Sequence, residues 1–189
     1  GGQHYDFDLG RARLVLPGLG WSKGIGVPAK LGFDLKQGTG GLTVQNLTFS
    51  GDGFGFTGSA QLDSAYNLLS ADIDNLSLRK GDSIAIKLTR GKSGYGISAR
   101  GAAFDLRGLI AHIRDRNDQA GGFPDLALDA RIDRLIGYNQ EVITGASLTL
   151  VSVGGETQKV SFSGARGPSN ISHDYAITPS CTRLNANAA

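Results

Sequence analysis

The sequence predicts a mainly β fold, built as a meander of consecutive antiparallel hairpins. Three observations predict it. Apolar residues recur at every second position over much of the chain, which is the period of a strand with one apolar face. Clusters of turn-forming residues separate these runs at short intervals. Glycine supplies 29 of the 189 residues, about twice its usual share of roughly 7%.

The alternating runs follow one another along most of the chain. They are Phe7 and Leu9; Ala29, Leu31, Phe33 and Leu35; Leu42 and Val44; Phe54 and Phe56; Ile84, Ile86 and Leu88; Tyr95, Ile97 and Ala99; Leu126, Leu128, Ala130 and Ile132; Leu148 and Leu150; and Val160 and Phe162. Turns are predicted at 38–41, 51–53, 79–82, 90–94 and 154–155. Polar residues fill the intervening positions, so each strand has a single apolar face. Periodicity alone leaves open whether a second sheet covers that face or an open trough remains.

Two segments depart from the alternation. Apolar positions 106, 109, 110 and 113 form a helical stripe behind Asp105 as N-cap, which predicts one short helix near 105–116. The tail 178–189 has no alternation, and we predict that it is disordered beside a single folded unit over 1–177. Trp21 is predicted to pack over a hairpin edge, with an interfacial membrane anchor as the alternative.

Composition excludes several classes of function. The 19 basic and 17 acidic residues are interspersed without a basic run, so we predict no nucleic-acid partner. The absence of methionine indicates a fragment of a longer protein. The single Cys181 permits no internal disulfide, which leaves its role and the redox compartment open.

No catalytic or metal-binding motif emerges. A phosphate-binding loop ending at Gly91-Lys92-Ser93 would need a glycine where Ile86 stands. The histidines (His4, His112 and His173) are dispersed, and the acidic pairs (Asp72 with Asp74, Asp129 with Asp133) fit outward, solvated strand positions. We therefore predict no enzymatic activity, no metal and no cofactor.

Longer stretches of the chain carry a family resemblance. They include Leu16-Pro17-Gly18-Leu19-Gly20-Trp21-Ser22-Lys23-Gly24, Leu42-Thr43-Val44-Gln45-Asn46-Leu47, Gly94 to Arg107 and Leu126 to Leu135. With these the chain resembles the C-terminal region of the AsmA-like family, which includes the YhdP-type and TamB-type bacterial envelope proteins. The resemblance extends to about Gly167.

The resemblance implies both a fold and a function. It implies a curved antiparallel β-meander that forms an open, taco-like groove with an apolar lining. It also implies a periplasmic protein, anchored in the inner membrane by an N-terminal helix missing here, that carries phospholipid acyl chains toward the outer membrane. Other envelope proteins are possible partners. The lipid and the direction of transport stay open, and no catalytic residues are implied.

The inward residues of the alternating runs are the candidate lipid-binding residues. They are Leu31, Phe33, Leu35, Leu42, Val44, Phe54, Phe56, Ile84, Ile86, Leu88, Ile97, Leu128, Leu148 and Phe162. Glycines inside or beside the strands, such as Gly58 and Gly101, predict strong curvature. The alternatives are a structural or adhesive β-sandwich, an assembly factor for outer-membrane proteins, and an enzyme acting on an envelope polysaccharide.

Overall fold

The computed structural model describes residues 2–16, 19–108, 111, 125–178 and 181–188. Strands account for most of this length. They are β1 (Gly2–Asp8), β2 (Leu14–Leu16), β3 (Trp21–Lys23), β4 (Ala29–Gly38), β5 (Gly41–Gly51), β6 (Phe54–Leu62), β7 (Leu68–Leu76), β8 (Ser83–Arg90), β9 (Tyr95–Asp105), β10 (Leu126–Ile136), β11 (Val142–Val153), β12 (Glu156–Arg166), β13 (Ser169–Thr178) and β14 (Cys181–Ala188). A 3-10 turn, Tyr138–Gln140, joins β10 to β11.

One long sheet dominates the architecture. Twelve strands pair in the order β1-β4-β5-β6-β7-β8-β9-β10-β11-β12-β13-β14, and β2 and β3 form a separate two-stranded hairpin. The sheet is curved, mostly antiparallel and not closed, as the predicted open groove requires. Register shifts, which bend a strand locally, interrupt every strand pair from β4·β5 to β8·β9 and also β11·β12.

The pairing of β9 with β10 differs from the predicted meander, because these two strands are parallel. A parallel pair needs a crossover connection of about a dozen residues or more, and the chain between Asp105 and Leu126 is long enough to supply it. Hairpin turns on both sides restore the antiparallel order. The sheet is therefore not one continuous meander. It consists of two antiparallel halves that are joined by the parallel pair β9·β10.

The segment predicted as a helix near 105–116 lies largely outside the described residues, as does His112. Of its described part, Arg107, Gly108 and Ala111 have helical backbone. Within the described ranges, no helix has the length and apolar character needed to cross a membrane.

The tail 178–189 is predicted to be disordered, but the structure has a strand over most of this segment. Residues 181–188 form β14, which pairs antiparallel with β13 from Thr178↔Cys181 to Ile171↔Ala188. Backbone N–H and C=O groups make this pairing, so it does not require the side-chain alternation on which the prediction depended.

The β2–β3 hairpin packs on the sheet at one end of the strands, which we call the capped end. The Trp21 ring is 8% exposed and lies with its centroid 6.1 Å from that of Phe49 and 5.1 Å from that of Phe54. Lys23, 2% exposed, donates from Nζ to the carbonyl oxygens of Ala12 at 2.8 Å and Gly24 at 3.0 Å. Trp21 thus packs over the sheet and is not an exposed interfacial anchor.

Buried polar contacts fasten the capped end. Asp82, 7% exposed, accepts from the backbone N–H groups of Leu78 at 3.2 Å, Arg79 at 2.8 Å and Asp105 at 2.8 Å. Arg79 in turn donates to the carbonyl oxygens of Asp105 and Gly20, which joins the hairpin to the sheet. One carboxylate therefore satisfies donors from two separate segments.

Replacing Asp82 with alanine should lower the free energy of unfolding by about 2–4 kcal/mol, because the substitution leaves backbone donors without an acceptor in a buried site. Urea unfolding followed by the fluorescence of Trp21, the only tryptophan in the chain, measures the change. Asp52→Ala, in the exposed β5–β6 turn, is the matched control and should change stability by less than about 0.5 kcal/mol. Equal stability of the two variants would contradict this role of Asp82.

An exposed histidine joins the edge strand β1 to β4. His4 lies with Nδ1 2.6 Å from Asp34 Oδ1 and Nε2 2.9 Å from Asp6 Oδ2. The hydrogen bond to Asp34, followed by the bond and the charge of Asp6, raises the pKa of His4 above its ordinary 6.5. Asn46 donates to the other oxygen of Asp34 at 2.6 Å, and this bond with that of His4 lowers the pKa of Asp34.

The Asp34→Asn substitution should bring the pKa of His4 down, because it removes the largest cause of the upward shift. A raised pKa means that the contribution of His4 to stability is complete below the unfolded-state pKa and is lost as pH rises through the folded-state pKa. NMR titration of the imidazole checks the shift in both proteins. An unchanged titration midpoint would show that Asp34 does not stabilise the charged ring.

Candidate functional site

The two faces of the sheet differ in chemistry. Residues opposite each other in neighbouring strands share a face, so the strand register assigns each strand residue to one of two sides. One side, the apolar face, carries the buried strand residues Phe49, Ile84, Ile132 and Ala146. It is therefore the side on which the hydrophobic core forms.

A continuous line of residues, the apolar row, crosses this face from β4 to β12. Its members are Leu35, Val44, Ala60, Ala71, Leu88, Ile97, Leu128, Leu150 and Val160. No charged residue interrupts it. At a strand spacing of about 4.8 Å the row extends for roughly 40 Å. All of its members are half-buried, so the row is partly accessible to solvent.

The opposite side of the same strands, the polar face, carries a line of polar residues in the same register. This line contains Ser59, Asp72, Lys87, Ser98, Asp129, Thr149, Ser161 and Asp174. Lys87 pairs with Asp72 at 2.8 Å, and this partner raises the pKa of Lys87. Arg100 pairs with Asp129. Asp72 and Asp129, members of the acidic pairs in the sequence, are thus in ion pairs on the polar face.

All the residues predicted to bind lipid lie on the apolar face, but they divide into two groups. The first belongs to or packs against the hydrophobic core at the capped end: Ile84, Leu31, Phe54, Phe56, Ile86 and Phe162. The second is outside that core: Phe33, Leu35, Leu42, Val44, Leu88, Ile97, Leu128 and Leu148. The second group, toward the other end of the strands, which we call the open end, is the candidate binding surface.

Some members of the apolar row were not among the predicted residues. Ala60, Ala71, Leu150 and Val160 complete the row between the predicted positions. Leu150 and Val160 belong to alternating runs, so the sequence does contain their signal. The two alanines do not stand out in the sequence. Only the strand register shows that they lie in the row, between Val44 and Leu88.

An aromatic cluster lies where the apolar face reaches the edge strand β1. The Phe33 ring centroid is 5.3 Å from that of Tyr5 and 6.0 Å from that of Phe7, in stacked arrangements. Phe7 is 45% exposed. The apolar surface therefore continues from the row to the edge of the sheet.

Polar groups border the apolar face at its open end. Asp63 accepts from Arg90 Nη1 at 3.0 Å and from the backbone N–H groups of Ala65 and Asn67 at 2.9 Å each. Asn67, through backbone and side-chain donors, is the largest cause of the lowered pKa of Asp63, and Ala65 and Arg90 add to it. Tyr95 donates its hydroxyl to the Leu68 carbonyl oxygen at 3.3 Å. These groups form a charged, solvent-exposed rim next to the apolar surface.

The polar face has shallow depressions. One over β8 to β11, about 480 Å³, arises because Gly96 and Ala127 place little side chain between Lys87 and Asp129. Another, about 560 Å³, lies beside Asn46 and Asp74. Among the described residues, no three His, Cys, Asp or Glu side chains come together where a metal ion could be held.

The apolar row with its polar rim is therefore the candidate functional site. It combines a partly exposed apolar surface with charged groups at one margin. Comparisons of the chain with protein-family models, with curated proteins and with solved structures found no match. The resemblance to the AsmA-like family accordingly stays a prediction.

Proposed function

We propose that the groove binds the acyl chains of phospholipids along the apolar row. The observation that carries this proposal is the continuity of the row, which presents an aliphatic residue on every strand from β4 to β12. The sheet is not closed and the row is partly accessible to solvent, so a bound lipid keeps its headgroup in water. The charged rim of Asp63 and Arg90 suits that arrangement.

The energetics favour a lipid chain as the occupant. Each methylene removed from water contributes about 0.8 kcal/mol, and the half-buried row offers apolar contact along its whole length. A single acyl chain covers about half of the roughly 30 Å hydrocarbon core of a bilayer. The row, at roughly 40 Å, is longer than one chain, which favours movement along a path over storage in one pocket.

The wider proposal follows the family resemblance. The chain is a segment of an AsmA-like envelope protein, anchored in the inner membrane and located in the periplasm, that carries phospholipid between the inner and outer membranes and supports outer-membrane biogenesis. Its action is physical transfer without a chemical step. Other envelope proteins would be partners in the assembly.

A structural β-sandwich requires a second sheet over the apolar face. In the described part of the chain only the two-stranded β2–β3 hairpin packs there, and it covers the capped end. This arrangement disfavours the closed sandwich. An apolar protein segment seated on the row is the remaining competitor, and the experiment below separates it from lipid.

Mass spectrometry of the purified protein tests the proposal. We expect native spectra to show the chain with bound phospholipid, and organic extraction of the same sample to release it. A fluorescent acyl-chain probe should bind the delipidated protein and be displaced by phospholipid vesicles. Protein that contains no lipid and does not bind the probe, or whose row holds a peptide instead, would overturn the proposal.

A further inference from the structure

The β2–β3 hairpin also carries a surface that neither the core nor the groove uses. Four of the eight large apolar side chains that are exposed in the described part of the chain lie in this hairpin or in the loop that follows it: Val15 at 50% and Leu16 at 37% in β2, and Ile25 at 73% and Val27 at 37% after β3. Single exposed apolar residues are common on protein surfaces. Their concentration within one short segment marks an interaction surface.

The exposed residues lie on two paired chain segments. Val15 pairs with the exposed Ser22 and faces outward, whereas Leu16 pairs with the buried Trp21 and lies at the margin of the inward face. Gly26 donates its N–H to the Gly10 carbonyl oxygen at 2.9 Å. From Ser22, the partner of Val15, to Ile25 is three residues, or about 10 Å at the rise of an extended chain. The apolar side chains are thus neighbours on one small element.

The hairpin is firmly held, so its exposed residues are not a consequence of poor packing. Trp21 on one segment is in the core, and Leu14 and Leu19 pack against it. Both hydrogen bonds of the buried Lys23 ammonium join parts of this same element. A rigid hairpin that turns apolar residues outward presents them to a partner without further ordering.

The charged residues of this segment are all basic. Between Asp8 and Asp34 the sequence contains Arg11, Arg13, Lys23 and Lys30 and no acidic residue, although the whole chain is nearly balanced. Arg11 and Arg13 are exposed and flank Ala12, whose carbonyl oxygen Lys23 binds. Exposed aliphatic residues next to exposed arginines match the interface of an anionic bilayer, which offers hydrocarbon below negative headgroups.

We infer that this hairpin docks the capped end of the groove onto the surface of an anionic lipid bilayer. Val15, Ile25 and Val27 enter the headgroup region, and Arg11 and Arg13 contact the phosphates. The inference deepens the proposed lipid function by naming a membrane partner, but it concerns a surface separate from the apolar row, so either can fail alone.

Vesicle co-sedimentation tests the inference. We expect binding to phosphatidylcholine vesicles that contain phosphatidylglycerol, and much weaker binding to phosphatidylcholine alone. The double variant Val15→Ser/Ile25→Ser should bind at least tenfold more weakly. Arg11→Gln/Arg13→Gln should lose about fivefold for each arginine, since each cation near such a surface contributes about 1 kcal/mol, and should abolish the salt dependence.

Two controls keep the outcomes distinct. Val153→Ser removes an equally exposed valine, at 50%, from a site far along the chain and should bind vesicles normally. Leu88→Asp, on the apolar row, should lose groove lipid but keep vesicle docking. The inference is wrong if the hairpin variants sediment like the unaltered chain, or if the unaltered chain does not distinguish anionic from neutral vesicles.

Discussion

Replacing Leu88 with aspartate should abolish phospholipid binding by the groove. Leu88 occupies the apolar row between Ala71 and Ile97 and is half-buried. A carboxylate there keeps its hydration shell, because losing it without a partner is costly, and an acyl chain then loses contact on both sides. If about three methylenes lose their contacts, binding weakens by about 2.4 kcal/mol, roughly 60-fold.

The next residue along the same strand supplies the control. Thr89 is exposed and lies on the polar face, opposite Ser70 and Gly96. Thr89→Asp adds the same charge to the same strand but leaves the row intact, so its affinity for a fluorescent acyl-chain probe should be unchanged. Circular dichroism and Trp21 fluorescence establish that both variants fold. Equal affinities of the two folded variants would show that the row does not hold the lipid.

Local sequence patterns were sufficient to predict most strands and their faces. The alternation of Ile84, Ile86 and Leu88 predicts both a strand and the side that is apolar, because period two is a property of the strand itself. The structure places these three residues on one face of β8.

Strand β7 shows why such patterns also fail. Its residues on the apolar face, Leu68, Ala71, Ile73 and Leu76, are spaced by three, two and three positions. Register shifts between Gln61 and Leu62 and between Ile73 and Leu76 account for the irregular spacing, since a bulge adds a residue and changes the alternation. A strand with two such shifts has no continuous period for sequence analysis to detect.

Partners that are distant in sequence were outside the reach of local patterns. The parallel pairing of β9 with β10 depends on the crossover that separates them, and β14 is held by its backbone pairing with β13. The apolar row itself is a product of register. Ala60 and Ala71 are unremarkable in the sequence and become continuous with Val44 and Leu88 only when the strands align.

Substituting alanine for Gly101 in β9 should destabilise the sheet by about 3 kcal/mol, the upper part of the usual range for overpacking. Gly101 lies opposite Ile84, beside the register shift between Ser83 and Ile84. A Cβ at this position would meet the Ser83 carbonyl oxygen and lie 2.7 Å from Ile84 Cα. These are backbone atoms, so no side-chain rotation relieves the overlap, and β8 and β9 would have to separate at the bend.

Gly96, in the same strand, provides the comparison. The nearest atom to its added Cβ is the Thr89 carbonyl oxygen at 3.7 Å, an ordinary contact. Gly96→Ala should therefore leave urea unfolding unchanged or slightly improved, because alanine loses less backbone entropy than glycine on folding. If both variants unfolded alike, strand glycines would not be sites of close approach. If only Gly101→Ala is destabilised, the glycine content reflects in part the close strand contacts at the bends, and the curvature of the groove depends on them.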